Sequence, residues 1–412
     1  FGETFEVMNR DSATAVYQDN PWEKRSQLIT SIDFAKREEN LRLLERVQWD
    51  LVIVDESHKL SATRYGAEVK KSQRYRLGEV LARSSTHLLF LTATPHQGDD
   101  EKFRLLLDLL EPDLFANTAL LQEAAQKNEN PILLRRLKED MTDFDGKPLF
   151  PPRYVHSLSF KLSPSERELY ARVSEYVAKH FKRAWDERRR NVGLAMTVLQ
   201  RRLASSTYAI AQSLENRQRR LESLRSQVAA LQENPYHEYT EEELEEMAEE
   251  ERWRVENAIA ERLTLARNLP ELEAELGELE VLVKQARTLA RLEDDRKLKE
   301  LLSVLEKLGG EKLLIFTEHK DTLRFLVEVL RKRGYAVTSI DGSMTLEERV
   351  MREREFRDSA QVMVATEAAG EGINLQFCAV MVNYDLPWNP TRLEQRMGRI
   401  HRYGQRYDVH IY

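Results

Sequence analysis

The sequence predicts an α/β chain interrupted by a long helical insert. Three observations carry that reading. Short apolar runs alternate with helical stretches over residues 26–115, strand signals nearly vanish over 163–292, and the alternation returns from residue 296. Such a rhythm is that of parallel sheets flanked by helices, whose strands are buried on both faces and so read as near-continuous apolar segments.

In the first region the strand-like runs are Gln27–Ile32, Trp49–Val54 and His87–Thr92, with helical patterns at Asn40–Val47 and Tyr75–Arg83 between them. In the insert, Leu203, Ile210, Leu214, Leu221, Leu224, Val228 and Leu231 fall on heptad a and d positions, interrupted by Thr207 and Arg217. Asn234–Tyr239 breaks the pattern, and helical composition then resumes to Leu292 with a second break near Pro270. The expectation is a protruding antiparallel coiled-coil hairpin, apt for binding other proteins. The last region carries strand runs at Lys312–Thr317, Ala336–Ile340, Gln361–Thr366 and Ala379–Asn383. The predicted boundaries are 1–150, 151–295 and 296–412.

Charged residues make up 32% of the chain, and the formal net charge is −7. The stretch Glu241–Glu251 alone holds eight glutamates; removing it would bring the charge to +1. That stretch reads as a solvated helix face. Basic clusters lie at Lys182-Arg183, Arg188–Arg190, Arg201-Arg202 and Arg217–Arg220, so local patches rather than the average decide affinity for a phosphate backbone. A single cysteine, Cys378, excludes an intrachain disulfide and a cysteine-based zinc site. Without a signal peptide or long apolar run, the expectation is a soluble, cytoplasmic protein with no membrane partner. The start at Phe1 and the end at Tyr412, inside a strand-like run, both read as cuts through a larger protein.

Chemistry concentrates at strand ends. Asp55-Glu56-Ser57-His58 follows the run ending at Val54. Two carboxylates at the mouth of a buried strand are costly unless a cation or a reaction uses them. In nucleotide hydrolysis the first can hold Mg²⁺ through water and the second can orient the attacking water. Taken alone, an acidic strand exit accounts for the pair equally well. The next strand ends in Leu91-Thr92-Ala93-Thr94-Pro95-His96, whose hydroxyls could link those carboxylates onward. A third group runs Val364–Leu375, Asn383–Pro390 and Gln395–Gln405. Gly370 and Gly372 permit a tight turn and close ligand approach. A helix over 391–402 would put Gln395, Arg399 and Arg402 on one face, where two arginines could stabilise charge on a transferring γ-phosphate.

The order of these motifs resembles helicase superfamily two. The Trp388-Asn389-Pro390 element and the Arg399–Gln405 string resemble its Swi/Snf family of DNA translocases. Asp55–His58 and Leu162–Tyr170 look most like the family's prokaryotic, RapA-like branch. The resemblance implies two RecA-like lobes, the first truncated at its N-terminus, binding ATP and Mg²⁺ between them and double-stranded DNA across them. It implies Mg²⁺ binding for Asp55 and water activation for Glu56. His58, Thr92, Thr94 and Gln395 would couple nucleotide to lobe, Arg399 and Arg402 would act as fingers, and Gly370 and Gly372 would border the nucleotide. Thr30, Ser31, Thr317, Thr366 and Trp388 would contact nucleic acid. The pattern Gly-x-x-x-x-Gly-Lys-Ser/Thr occurs nowhere, so the chain alone is expected to be inactive as an ATPase. An RNA or single-strand helicase and a non-catalytic scaffold stay open as alternatives.

Overall fold

A computed structural model describes residues 3–14, 20–66, 68–93, 99–127, 130–187, 190–225, 239, 244, 247, 249–262, 264–266, 268–291, 295–367 and 373–412. The chain divides into two compact units, Phe1–Arg135 and Arg136–Tyr412.

The first unit contains β1 (Glu6–Met8), α1 (Arg10–Thr14), β2 (Leu28–Thr30), α2 (Ile32–Ala35), α3 (Glu38–Leu44) and β3 (Trp49–Val54). After these come β4 (Ala62–Tyr65), β5 (Glu68–Lys71), α4 (Gln73–Ser84), β6 (Ser85–Phe90), α5 (Asp100–Asp108) and α6 (Thr118–Lys127). Its described strands pair two by two: β1 with β2 and β3 with β6 in parallel, β4 with β5 antiparallel. The expected burial of both faces does not hold for β3 and β6 in this chain. Val52, Val54, Leu88 and Phe90 face a core shared with Leu41, Leu77 and Leu105, but the alternate residues Leu51, Ile53 and Leu89 are exposed. Side chains alternate across a strand, so an apolar run cannot say whether one face or both is covered.

Among the described residues, the second unit runs through β7 (Arg153–Val155) and the helices α7 (Pro164–Asp186), α8 (Arg190–Ser205), α9 (Thr207–Ser223), α10 (Glu249–Arg262) and α11 (Leu269–Arg291). Next come α12 (Arg296–Lys307), β8 (Leu313–Phe316), α13 (Lys320–Lys332), β9 (Val337–Ile340), α14 (Leu346–Asp358) and β10 (Val362–Ala365). It closes with β11 (Val380–Asn383), α15 (Pro390–Met397) and β12 (Val409–Ile411). The sheet is parallel throughout, in the order β7-β12-β11-β8-β10-β9. Here both faces are covered. Leu313, Ile315, Val362 and Val364 pack with α12 and α13, while Leu314, Phe316, Met363 and Ala365 pack with Phe356, Met397 and Ile400.

Where the sequence predicted a protruding hairpin, the described helices α7–α11 share one apolar core. Leu169, Val173, Leu199, Ile210, Leu214, Leu221, Ile259, Leu272 and Leu279 all belong to it. Helix α7 starts on a complete capping box, Ser163 with Glu166, and Pro164 at its first position. The heptad interruption at Arg217 is an anchor rather than a gap. Its guanidinium is fully buried and donates to the Glu275 carboxylate (2.7 Å), the Tyr176 hydroxyl (2.9 Å) and the Ala260 carbonyl (2.6 Å). A two-helix stripe has only one buried side, whereas here α9 is enclosed by α8, α10 and α11. Val228, Leu231 and residues 234–238 lie outside the described residues.

Candidate functional site

In the first unit the ladder between β3 and β6 runs past both strands. Leu91 N–H donates to the Val54 carbonyl (2.9 Å), and Ser57 N–H donates back to the Leu91 carbonyl (3.0 Å). Asp55 and Glu56 are thereby squeezed into a turn at the carboxyl end of the parallel pair, where ligand sites of α/β sheets form. Glu56 takes a left-handed conformation (φ 50°, ψ 42°) that a non-glycine residue adopts only at a cost of about 1–2 kcal/mol. Asp55 is exposed, and its Oδ1 accepts the Glu56 N–H at 2.8 Å.

His58 joins the two strand ends. Its side chain is only 7% exposed; Nδ1 stands 3.0 Å from Thr92 Oγ1 and 3.3 Å from Glu56 Oε2. Burial, reinforced by Lys59, pushes its pKa down to about 4 against the opposing pull of Asp55. At neutral pH the imidazole is therefore uncharged, and its contact with Glu56 is a polar one rather than an ion pair. The exposed Asp55 carboxylate, one oxygen already used by a neighbouring N–H, fits a Mg²⁺ ion that keeps most of its waters. Thr94 lies outside the described residues. Thr30 and Ser31 end β2, but both hydroxyls are engaged locally. Thr30 donates to the Met8 carbonyl (3.0 Å), and Ser31 caps α2 by accepting the Phe34 N–H (3.1 Å).

In the second unit the motif residues collect at the carboxyl ends of β8, β10 and β11. Thr317 and Thr366, expected at a nucleic-acid surface, are fully buried in this structure. Thr317 Oγ1 donates to Asp385 Oδ2 (2.6 Å), which also accepts from Ser205 (2.6 Å), while Asp385 Oδ1 takes the Glu318 N–H (2.6 Å). Burial would raise the Asp385 pKa, but Lys297, Arg396, His319 and the Ser205 hydroxyl hold it below the ordinary value. Glu367, just after β10, receives Arg252 from α10 (3.0 Å) and Arg392 from α15 (2.8 Å). Arg201 of α8 bridges Glu256 (3.2 Å) and Glu318 (3.1 Å). Burial pushes Glu318 up to about 7, with Asp385 and Glu367 adding and Arg201 opposing. Trp388, by contrast, is 70% exposed in the loop before α15. Gly370 and Gly372 lie outside the described residues.

The expected helix over 391–402 is corrected. Helix α15 ends at Met397, and 398–404 form turns, with Arg399 N–H donating to Arg396 (3.0 Å) and Ile400 N–H to Met397 (3.3 Å). Gln405 holds the turns beyond the helix: its side-chain amide donates to the Ile400 (3.1 Å) and Cys378 (3.0 Å) carbonyls. Gln395 therefore sits on the helix, and Arg399 and Arg402 on the turn beyond it. Sequence reading passed over Asp385, Glu367, Arg201 and Arg252. An available signal was that Asp385 follows an apolar strand run just as Asp55 does.

Comparison with known proteins now decides the family. The SNF2-related domain matches residues 5–219, more than half of the chain, and the helicase conserved C-terminal domain matches 296–404. The chain belongs to the SNF2-related family. It is 29% identical over 405 residues to an uncharacterized ATP-dependent helicase, YqhH of Bacillus subtilis, covering 95% of this chain and 60% of that protein. It is 27% identical over 413 residues to the RNA polymerase-associated protein RapA of Sodalis glossinidius, covering 98% of this chain and 39% of RapA. The chain thus spans less than two thirds of these relatives. It is similar in structure to the C-terminal part of the Fun30 ATPase domain (TM-score 0.38, 19% identity, 64% of this chain and 84% of that one). It is also similar to the Sulfolobus solfataricus SWI2/SNF2 ATPase core in complex with dsDNA (TM-score 0.36, 16% identity, 99% and 70%). At such TM-scores the likenesses add nothing to the family assignment. Among the described residues no helix is long and apolar enough to cross a membrane.

Proposed function

We propose that these residues form the greater part of an ATP-driven motor that moves along double-stranded DNA in the cytoplasm. The observation that carries the proposal is the strained turn at Glu56, with His58 tying it to Thr92 of the next strand. Strain of that kind persists only where the surroundings over-determine it, and it clusters at functional sites. Bound Mg²⁺–ATP would supply the transferable γ-phosphoryl group, and Asp55 would hold the ion through water. Glu56 would orient the attacking water, and the neutral His58 ring would report the state of Glu56 to Thr92. Arg399 and Arg402 would stabilise negative charge developing on the phosphoryl oxygens. The Pro387–Pro390 element, by its resemblance to Swi/Snf translocases, supports a duplex substrate over RNA. RapA's association with RNA polymerase makes a protein partner for the parent chain a further part of the proposal.

The test is Glu56→Gln in a chain that carries a phosphate-binding loop ahead of these residues. The exchange keeps shape and removes the carboxylate, so nucleotide binding survives while DNA-stimulated turnover falls by at least ~100-fold. Near-normal turnover would sink the assignment. Equal stimulation by RNA, single-stranded and double-stranded DNA would sink the duplex reading.

A further inference from the structure

The turn that carries Arg399 and Arg402 is gripped from two sides. On its inner side Gln405 is fully used. Beyond its two donated bonds, its Oε1 accepts the Arg406 (2.8 Å) and Tyr407 (3.1 Å) N–H groups. The outer side is held by the first residues of the second unit. Lys138 Nζ donates to the His401 carbonyl (2.8 Å) and stands 5.6 Å over the Phe150 ring, which lies 5.8 Å from the His401 ring. His401 Nε2 is 2.9 Å from the Pro151 carbonyl, and Arg153 pairs with Glu394 on α15 at 3.2 Å.

Lys138 is exposed as a whole residue, yet its ammonium is held at two points, the His401 carbonyl and the Phe150 ring. Burial depresses its pKa, and the nearby Arg153 and Arg402 depress it further against Glu394 and Glu139. The His401 carbonyl and the Phe150 face are partners suited to an ammonium. Arg402 itself stays exposed beyond this mount. Lys138 also lies only three residues past Arg135, where the first unit ends.

We propose that Lys138, seated on Phe150, is a positioning residue that fixes the backbone of the Arg399–Arg402 turn. The proposal rests on the reading of those arginines as fingers. Its action is on orientation: a misplacement of about 1 Å at a reacting group costs on the order of 100-fold in rate.

Two measurements test it. In the 412-residue chain without nucleotide, Lys138→Met should speed amide hydrogen exchange across residues 399–405 by at least ~10-fold. Phe150→Leu, which removes the ring beneath the ammonium, should act in the same direction, and the melting curve of each variant reports folding. Unchanged exchange in both variants overturns the proposal whatever the arginines do. In a chain with a phosphate-binding loop, Lys138→Met should lower kcat by ~10–100-fold with the KM for ATP nearly unchanged, and Lys138→Arg should restore most of it. Added to a variant that already carries both Arg399→Ala and Arg402→Ala, Lys138→Met should cost nothing more, because both side chains it orients are gone. Multiplying losses, or faster exchange with an intact kcat, overturn the positioning role. If the variant lacking both arginines itself leaves kcat intact, the finger reading fails, and the proposal built on it falls with it.

Discussion

Arg217 offers the sharpest test of how the helical region holds together. Its guanidinium is fully buried, and Glu275 is 4% exposed, so neither charge has water to fall back on. Arg217→Met keeps the length of the side chain but removes the cation and three donated hydrogen bonds. Glu275 would retain the Thr264 and Tyr176 hydroxyls but no counter-charge. Breaking a buried pair from one side costs about 3–5 kcal/mol. For a domain of this size that is a fall in Tm of roughly 10 °C. Burial would raise the Glu275 pKa, yet Arg217 and His180 hold it below the ordinary value. A depressed carboxyl contributes stability above its unfolded pKa and loses it as pH falls through the folded one. The gap between wild type and Arg217→Met should therefore narrow as pH drops below about 4.5. Removing both charges, as in Arg217→Met with Glu275→Leu, should recover most of the loss. The assay is thermal unfolding followed by near-UV circular dichroism from pH 4 to 8. A single variant within ~2 °C of wild type, or a double variant no better than the single, would refute the reasoning.

Three further outcomes are expected. Arg399→Ala and Arg402→Ala should each lower kcat far more than they change the KM for ATP, because a finger acts on transition-state charge; steady-state kinetics showing only a KM effect would reassign that arginine to ground-state binding. His58, with its folded pKa lowered to about 4, contributes stability that is present above about pH 6.5 and lost as pH falls through 4. His58→Asn should flatten that part of the pH–Tm profile, worth up to about 3 kcal/mol, and an unchanged acid slope would show the ring to be solvated. Replacing residues 207–291 with a short linker should leave α7 and α8 without their core partners, so that soluble, cooperatively folding chain is lost; a well-folded deletion would show the helices to be an appendage after all.

Much was legible in advance because its determinants are local. The strand at Trp49–Val54, the four strand runs of the last region and the motifs at their carboxyl ends follow from short-range pattern: an apolar, β-branched run marks a strand whether one face or both is covered. The turns beyond α15 were not legible, because the Gln405 side chain holds them through carbonyls at Ile400 and at the distant Cys378.

The sequence by itself determined the α/β, helical, α/β order, the pairing of Asp55-Glu56 with a strand end, and the family. Each is encoded in residues that are neighbours in the chain. Only the tertiary structure decided that Leu51 and Ile53 are exposed while Leu314 and Ile315 are both buried, since the same apolar alternation serves one covered face or two. Only it decided that Arg217 is a core residue, because the partners that make its burial tolerable come from three other helical segments, at Tyr176, Ala260 and Glu275. Charge in a sequence reads as surface until a fold brings its counter-charge from far away, and the same holds for Glu367, held by Arg252 from 115 residues upstream.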